Sequence, residues 1–560
     1  MNLNNYKFKL EYFLNGKKCI ATEDSKLFTL KKINESDDRL NVAIVPNKKI
    51  ELKKACFIYD FEFEKDDKIF VNGYQSWTTS REYGVKDKQL GLRNVSKPRT
   101  IIRTFAESCG DYDFTKYGGA GFFHSFTYSY VRNNNDKEML LIGSMSEKTG
   151  YTIIYFDVKN NTITIEKDLE GLTIDSEREI CDVRKFVGTY DEVFDKYFGA
   201  MNLPKLKLDH LSGYTSWYNY FQKIDEKIIL RDLEGITSKA GDKINIFQID
   251  DGFESKVGDW HELDAKKFPN GLTPVVEKIH SKGIMAGLWL APFSAEFKSK
   301  IAKEHPEWLI RNKKGKKFNG GFAWGGFWVL DFQIPSVREY IKSVFDKVFD
   351  EWGFDMVKLD FLYSACYIPR NNKTRGELMC EAMQFLRECC RDKLILGCGV
   401  PLGPSWGIVD ACRISCDVET SFKDKFYCKC TNQEVISAKN AMNNSIFRRH
   451  LNHRVFLNDP DVFFLRNDGP KVPKYNWEQK KLLAQINNMF GSVLFVSDNV
   501  GAYGGQQLQT LVETFKKFDG EIKNCEYIDK KHIKIDYVQN NQEQSLTYNI
   551  YSGEYTIKNK

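Results

Sequence analysis

Histidine is scarce in this chain. There are 8 in 560 residues and none at HxH or HExxH spacing, so the histidine cluster of a metal-dependent hydrolase is missing. No apolar run reaches the roughly 18 residues of a membrane-spanning helix. The opening Met1–Lys7 has neither the apolar core nor the small-residue cleavage site of a secretion signal. The 14 cysteines are scattered: Cys389 and Cys390 are adjacent, Cys428 and Cys430 are too close for an ordinary bridge, and no paired CxxC suggests structural zinc. Reduced thiols in a cytoplasm are the simplest expectation. Neither sign of charge dominates, since 82 basic against 76 acidic residues leave only +6. Charge therefore points to neither nucleic acid nor an anionic membrane. GxGxxG and P-loop patterns are missing, as are internal repeats and low-complexity linkers.

Apolar material is plentiful: 42% of residues are hydrophobic and 14% aromatic, enough for several cores. Residues 1–203 read as an antiparallel β-sandwich. Short runs such as Tyr6–Phe13, Asn41–Val45, Cys56–Phe63 and Tyr151–Phe156 are separated by Asn, Asp, Gly and Lys, and Thr162–Glu166 alternates like a half-exposed strand. The first helical stretch is Asp191–Met201. Over 204–516, strand-like runs alternate with amphipathic helices. In Pro335–Trp352, Val337, Ile341, Val344, Phe345, Val348 and Trp352 share one face. Eight strands are expected at Gly213–Trp217, Ile244–Ile249, Ile284–Leu290, Met356–Phe361, Leu394–Cys398, Ala411–Ser415, Val455–Leu457 and Val493–Val496. Their alternation with helices fits a (β/α)₈ barrel, although periodicity alone does not separate it from an open sheet. Residues 517–560 alternate as a small C-terminal antiparallel β domain.

In such barrels chemistry sits at the C-terminal strand ends. The second strand ends in Asp250 and Asp251, a pair suited either to sugar hydroxyls or to an Asp-Gly turn with Gly252. Asp259 and Trp260 follow in the same loop. The fourth strand ends Lys358-Leu359-Asp360, which sends Lys358 and Asp360 to one side, as a nucleophile and a charge partner or as a structural ion pair. Arg413, Asp417 and Glu419 lie at or past the end of the sixth strand, where one acid could protonate a leaving group or pair with Arg413. Asn458-Asp459-Pro460-Asp461 has strong turn chemistry, so a structural role stands level with a functional one. His450 and His453, without a third ligand, read as packing or surface residues. Two carboxylates across a barrel mouth among aromatics are what glycoside cleavage requires.

These residues resemble a known family, the glycoside hydrolase family 36 α-galactosidases of the melibiase clan. The matching stretches are NGYQSW (Asn72–Trp77), GYTSWYNY (Gly213–Tyr220), FQIDDGF (Phe247–Phe253), GDW (Gly258–Trp260), GLWLAPF (Gly287–Phe293), VKLDFLYSA (Val357–Ala365), LGCGVPLGPSWGIVDACRIS (Leu396–Ser415), LNDPD (Leu457–Asp461) and LFVSD (Leu494–Asp498), in family order. The resemblance implies an N-terminal β-supersandwich, a central TIM barrel and a C-terminal β domain. It implies Asp360 as nucleophile and Asp417 as acid/base, with Glu419 second for that role. Asp250, Asp251, Lys358 and Arg413 would bind the sugar, and Trp217 and Trp260 would wall the pocket. The implied reaction is retaining double displacement, with no cofactor and no metal.

The sequence departs from the family in the nucleophile stretch, where Leu359 and Phe361 flank Asp360, and in the fifth-strand loop, which runs Cys398-Gly399-Val400-Pro401-Leu402. That loop resembles the region that sets the space beside the sugar's 2-position. The resemblance makes a terminal α-galactoside the expected substrate, and the small Gly399, which leaves room for an acetamido group, makes an α-N-acetylgalactosaminide the alternative. Transglycosylation, or a non-catalytic carbohydrate-binding role on the same scaffold, are further readings. The expected partner is a carbohydrate, and a homo-oligomer is left open.

Overall fold

The computed structural model describes residues 1–34, 36–91, 109–133, 138–424 and 434–560. Cys428 and Cys430 lie outside the described residues. The N-terminal region holds two seven-stranded antiparallel sheets packed face to face. The long strand Ile50–Asp60 pairs with Lys7–Leu14 on one side and Thr162–Asp168 on the other. In Thr162–Asp168 the expected alternation holds only at first: Ile163 and Ile165 are fully buried, but so are the polar residues that follow. Glu166 is buried because Lys54 Nζ lies 2.6 Å away, and Asp168 because Arg375 of the barrel pairs with it at 2.9 Å. Buried carboxylates need such partners, and a one-strand pattern does not reveal them.

Eight parallel strands form the central barrel: β1 (Leu211–Thr215), β2 (Ile246–Ile249), β3 (Met285–Leu290), β4 (Met356–Leu359), β5 (Leu394–Gly397), β6 (Ala411–Arg413), β7 (Leu457–Asp459) and β8 (Val493–Val496). From β1 to β7 each pairs with its sequence neighbour, and β1 pairs with β8. The seam between β7 and β8 is joined by a bridge from Phe463 to Val496 and by Ser492 N–H on the Asn458 carbonyl at 2.9 Å. The strands are buried almost throughout, since the lumen covers one face and helices the other. Helix Glu226–Ala240 is capped by Asp225, whose carboxylate accepts from Ile228 N–H. The helix begun at Pro335 is regular to Asp346, and Lys347–Glu351 then widens into a π turn. Trp352 N–H reaches back to the Lys347 carbonyl, and Val348 and Trp352 stay inside, as their spacing predicts.

A three-stranded antiparallel excursion (Ser294–Glu296, Phe327–Val329, Asn319–Gly321) follows β3 and carries Trp324 toward the barrel mouth. The last helix, Gly505–Phe515, gives way to four antiparallel strands spanning Glu521–Asn559. His450 is buried between the Tyr128 and Tyr190 hydroxyls at 2.7 and 2.8 Å and stacks on Phe194, a packing role. The described cysteines form no disulfide with one another. Among the described residues no helix is long and apolar enough to cross a membrane.

Candidate active site

At the end of β4 the chain turns sharply. Asp360 N–H still bonds the Leu290 carbonyl of β3 at 2.8 Å, but Phe361 adopts φ +55°, a left-handed conformation costly for a bulky residue. The turn aims Asp360 into the lumen. Phe361 N–H bonds one carboxylate oxygen at 2.8 Å and the Trp289 indole N–H bonds the other at 3.1 Å. Aromatic contacts hold the strained turn: the Phe361 ring lies 4.8 Å from Trp324 and 5.2 Å from Trp77. Burial pushes the Asp360 carboxyl above its ordinary value. The Lys358 charge and the Trp289 and Cys398 hydrogen bonds pull it back, and the Asp417 charge adds to the rise.

Lys358, two residues earlier, places Nζ 2.9 Å from Asp250 Oδ2. Burial opposes its charge, yet the facing carboxylates outweigh burial and raise its pKa. Asp250 also accepts from Gln248 Nε2 at 2.9 Å and from the Asp251 N–H at 3.0 Å. Asp251 points elsewhere, to Gln222 Nε2 at 3.0 Å and the Trp324 indole N–H at 2.8 Å. Burial raises its pKa, and Glu254, packed against it, is raised well above the usual range by burial and by the Asp251 charge. The Asp-Gly turn is real as well: Gly252 has φ +122°, and a Cβ there would meet the Gln222 backbone at 2.7 Å.

Asp417 follows β6 and is about one-third exposed. Its Oδ1 lies 3.2 Å from Nη2 of fully buried Arg413, and the same Nη2 lies 3.1 Å from Asp461 Oδ2. Asp250, Asp251, Lys358, Asp360, Asp417 and Trp217 all line one cavity of about 400 Å³.

The remaining expected residues sit beside or behind it. Trp260 is 2% exposed and packs edge-on against Trp289 at 5.9 Å; Trp289 is the ring that faces the cavity. Asp259 caps a helix, accepting from Lys300 and Ile301 N–H at 2.9 and 3.0 Å. Arg413 lies beneath the wall and reaches the cavity only through Asp417. Glu419 turns to its neighbour Thr420, whose N–H it accepts at 2.9 Å, and does not line the cavity. Cys398 accepts the Trp77 indole N–H at 3.3 Å. Gly399 has φ +58°, and a Cβ on it would meet Trp77 at 3.0 Å. The room that its missing side chain leaves is filled by an indole.

Trp77, Trp289, Trp324, Gln222 and Glu434 also line the cavity, and the sequence reading assigned none of them. Trp77 and Trp289 lie within the NGYQSW and GLWLAPF stretches, which marked their regions but not their roles. Trp324 sits in an excursion that strand–helix alternation does not register. Trp77 comes from the N-terminal region. Its loop is held by Arg448, whose buried guanidinium donates to the Ser76 carbonyl at 2.6 Å, the Gln75 carbonyl at 3.1 Å, Asn72 Oδ1 and the Ile414 carbonyl. Burial pushes this guanidinium down to about 10.

The fold and the cavity define a barrel protein with paired carboxylates facing a tryptophan-lined pocket. Residues 216–382 match the Melibiase family model. An α-galactosidase of Escherichia coli is 31% identical over 148 residues, which cover 25% of this chain and 20% of that enzyme's length, so the chain aligns with about a fifth of that relative. The structure of an α-galactosidase from Thermus thermophilus in complex with p-nitrophenyl α-D-galactopyranoside superposes with a TM-score of 0.70 at 22% identity, covering 94% of this chain and 97% of that one. The family 36 α-galactosidase AgaA of Geobacillus stearothermophilus gives a TM-score of 0.62 at 11% identity, covering 97% and 81%. Residues 216–382 thus resemble the melibiases, and the two solved structures share the fold of nearly the whole chain.

Proposed function

We propose that this protein is a retaining glycoside hydrolase that removes terminal α-linked galactose from oligosaccharides or glycoconjugates. The observation that carries the reading is the shared cavity: Asp360 and Asp417 open onto it together, each with a distinct environment. Asp360, held by two N–H donors and facing the Lys358 charge, attacks the anomeric carbon. Asp417 donates a proton to the departing glycosidic oxygen as that bond breaks. A water then loses its proton to Asp417 and attacks the same carbon, and Asp360 leaves as carboxylate. Asp250, Asp251 and Lys358 supply acceptors and a donor for the ring hydroxyls, and the tryptophans supply flat apolar faces for the sugar. The galactoside is favoured over the N-acetylgalactosaminide because Trp77 fills the space beside Gly399, which leaves no open acetamido pocket there.

The test is hydrolysis of the 4-nitrophenyl α-glycosides of galactose and N-acetylgalactosamine, with the first-formed anomer followed by NMR. Galactoside cleavage with α-galactose appearing first is expected. A large preference for the acetamido sugar overturns the substrate assignment, β-galactose first overturns retention, and inactivity on both sinks the hydrolase reading.

A further inference from the structure

The Asn458–Asp461 turn is unused by the mechanism above, yet its last carboxylate reaches the acid/base by a short route. One nitrogen of Arg413, Nη2, stands 3.1 Å from Asp461 Oδ2 and 3.2 Å from Asp417 Oδ1. Arg413 is 1% and Asp461 4% exposed, so water screens their contact little, while the Asp417 side of it is partly open to solvent. Asp461 Oδ2 also accepts the Val418 N–H at 2.7 Å, which fixes the residue next to Asp417, and the Tyr218 hydroxyl. The turn is built to present this oxygen: Asp461 has φ +78°, and its N–H is held by Asp459 Oδ1 at 2.8 Å. Asp and Asn are the side chains that best tolerate this backbone after glycine.

We propose that Asp461 is a positioning residue that divides the Arg413 guanidinium with Asp417, and thereby keeps a proton on the acid/base as the solution becomes alkaline. The inference rests on the hydrolase reading above. If Arg413 served Asp417 alone, its full charge would favour the carboxylate of the group that must donate a proton. With Asp461 ionised, part of that charge is already matched, and the added negative charge beside Asp417 opposes loss of its proton. Burial pushes the Asp461 carboxyl up to about 7; Arg413 opposes the rise, and the Asp417 and Asp459 charges add to it. Asp461 therefore gains its charge over the range in which a general acid at neutral pH would begin to fail. The titratable groups facing it are Arg413, Cys416 and Asp417 from the β6 loop, Asp459 from its own turn, Tyr218 from the loop after β1, and Tyr475 ahead of helix Trp477–Phe490. The two tyrosines and the cysteine are held neutral by burial, so the balance is set by the arginine and three carboxylates.

The test is the pH profile of kcat/KM for Asp461→Asn, whose amide oxygen keeps an acceptor for the same donors and whose side chain suits the same backbone. On an α-1,6-linked galactosyl disaccharide, whose sugar leaving group cannot depart without a proton, the alkaline limb is expected to move down by about one pH unit, with the acid limb unmoved and activity at the optimum kept within a few-fold. On α-galactosyl fluoride, whose leaving group departs without a proton, the shift is expected to vanish. Tyr218→Phe removes one donor to Asp461, disfavours its ionised form and should move the same limb in the same direction by less; it carries the test if Asp461→Asn does not fold. An unmoved alkaline limb, or an equal loss at every pH on both substrates, overturns the proposal and leaves Asp461 a purely structural turn residue. A wild-type protein inactive on both substrates instead sinks the hydrolase reading, which separates the two failures.

Discussion

Replacing Lys358 by methionine tests how Asp360, the proposed nucleophile, is kept ionised. Asp360 is buried, and burial alone drives its carboxyl upward; the Lys358 charge is the largest influence opposing this. An opposite charge close to a carboxyl moves its pKa by about one to three units, and each unit is about 1.4 kcal/mol. Methionine preserves most of the side-chain volume and removes the charge. The Asp360 carboxyl then rises further, and since the attacking form is the carboxylate, the acid limb of kcat/KM moves to higher pH by about one to three units. On the acid side that is roughly a 10- to 1,000-fold loss, much of it recovered as the pH is raised past the new limb. Asp250 loses its ion-pair partner but keeps Gln248 and the Asp251 N–H. A buried pair broken on one side costs about 3–5 kcal/mol, and the remaining donors put the expected cost toward the lower figure. The assay is kcat/KM on 4-nitrophenyl α-galactoside from about pH 4 to 9, with thermal melting alongside. A uniform loss at every pH, with the acid limb unmoved, would refute the electrostatic role and leave Lys358 a hydroxyl ligand only.

Asp360→Ala should lower kcat by roughly 10⁴ or more, as losing a nucleophile does elsewhere, while Asp417→Ala should lose about 10²–10⁴ on oligosaccharides and much less on α-galactosyl fluoride; equal losses on the two substrates would contradict the division of roles. Trp77→Ala removes a ring packed on Phe361 and Tyr363, and KM for the galactoside should rise about tenfold, equivalent to about 1.4 kcal/mol; an unchanged KM would mean that the N-terminal loop does not touch the sugar. Glu254 has a folded pKa above its unfolded value of about 4.3, so the folded state holds a proton that the unfolded chain has released, and stability falls as pH rises between the two. In Glu254→Gln the drop in melting temperature from pH 5 to pH 8 should shrink, since each pH unit by which folding raises this carboxyl costs about 1.4 kcal/mol once the solution is alkaline to it. An unaltered drop would show that Glu254 is not the group that titrates.

The amino-acid sequence by itself determined the layered architecture and most of the acidic floor of the cavity. Short apolar runs set β2, β4 and β8, because a strand covered on both faces has to be apolar along its length. Period-two alternation put Lys358 and Asp360 on one side, and the strand-end acids Asp250, Asp251, Asp360 and Asp417 do open onto one cavity. The tertiary structure alone decided which groups from distant segments close that cavity. Trp77 arrives from another sheet system through a loop gripped by Arg448, and Trp324 from a small excursion after β3. Trp289 faces the pocket, and Trp260, the tryptophan expected there, backs it. Periodicity reports which face of one element is apolar. It carries no information about which side chains from other elements meet that face, and contacts such as Arg413 between Asp417 and Asp461 exist only once the chain has closed on itself.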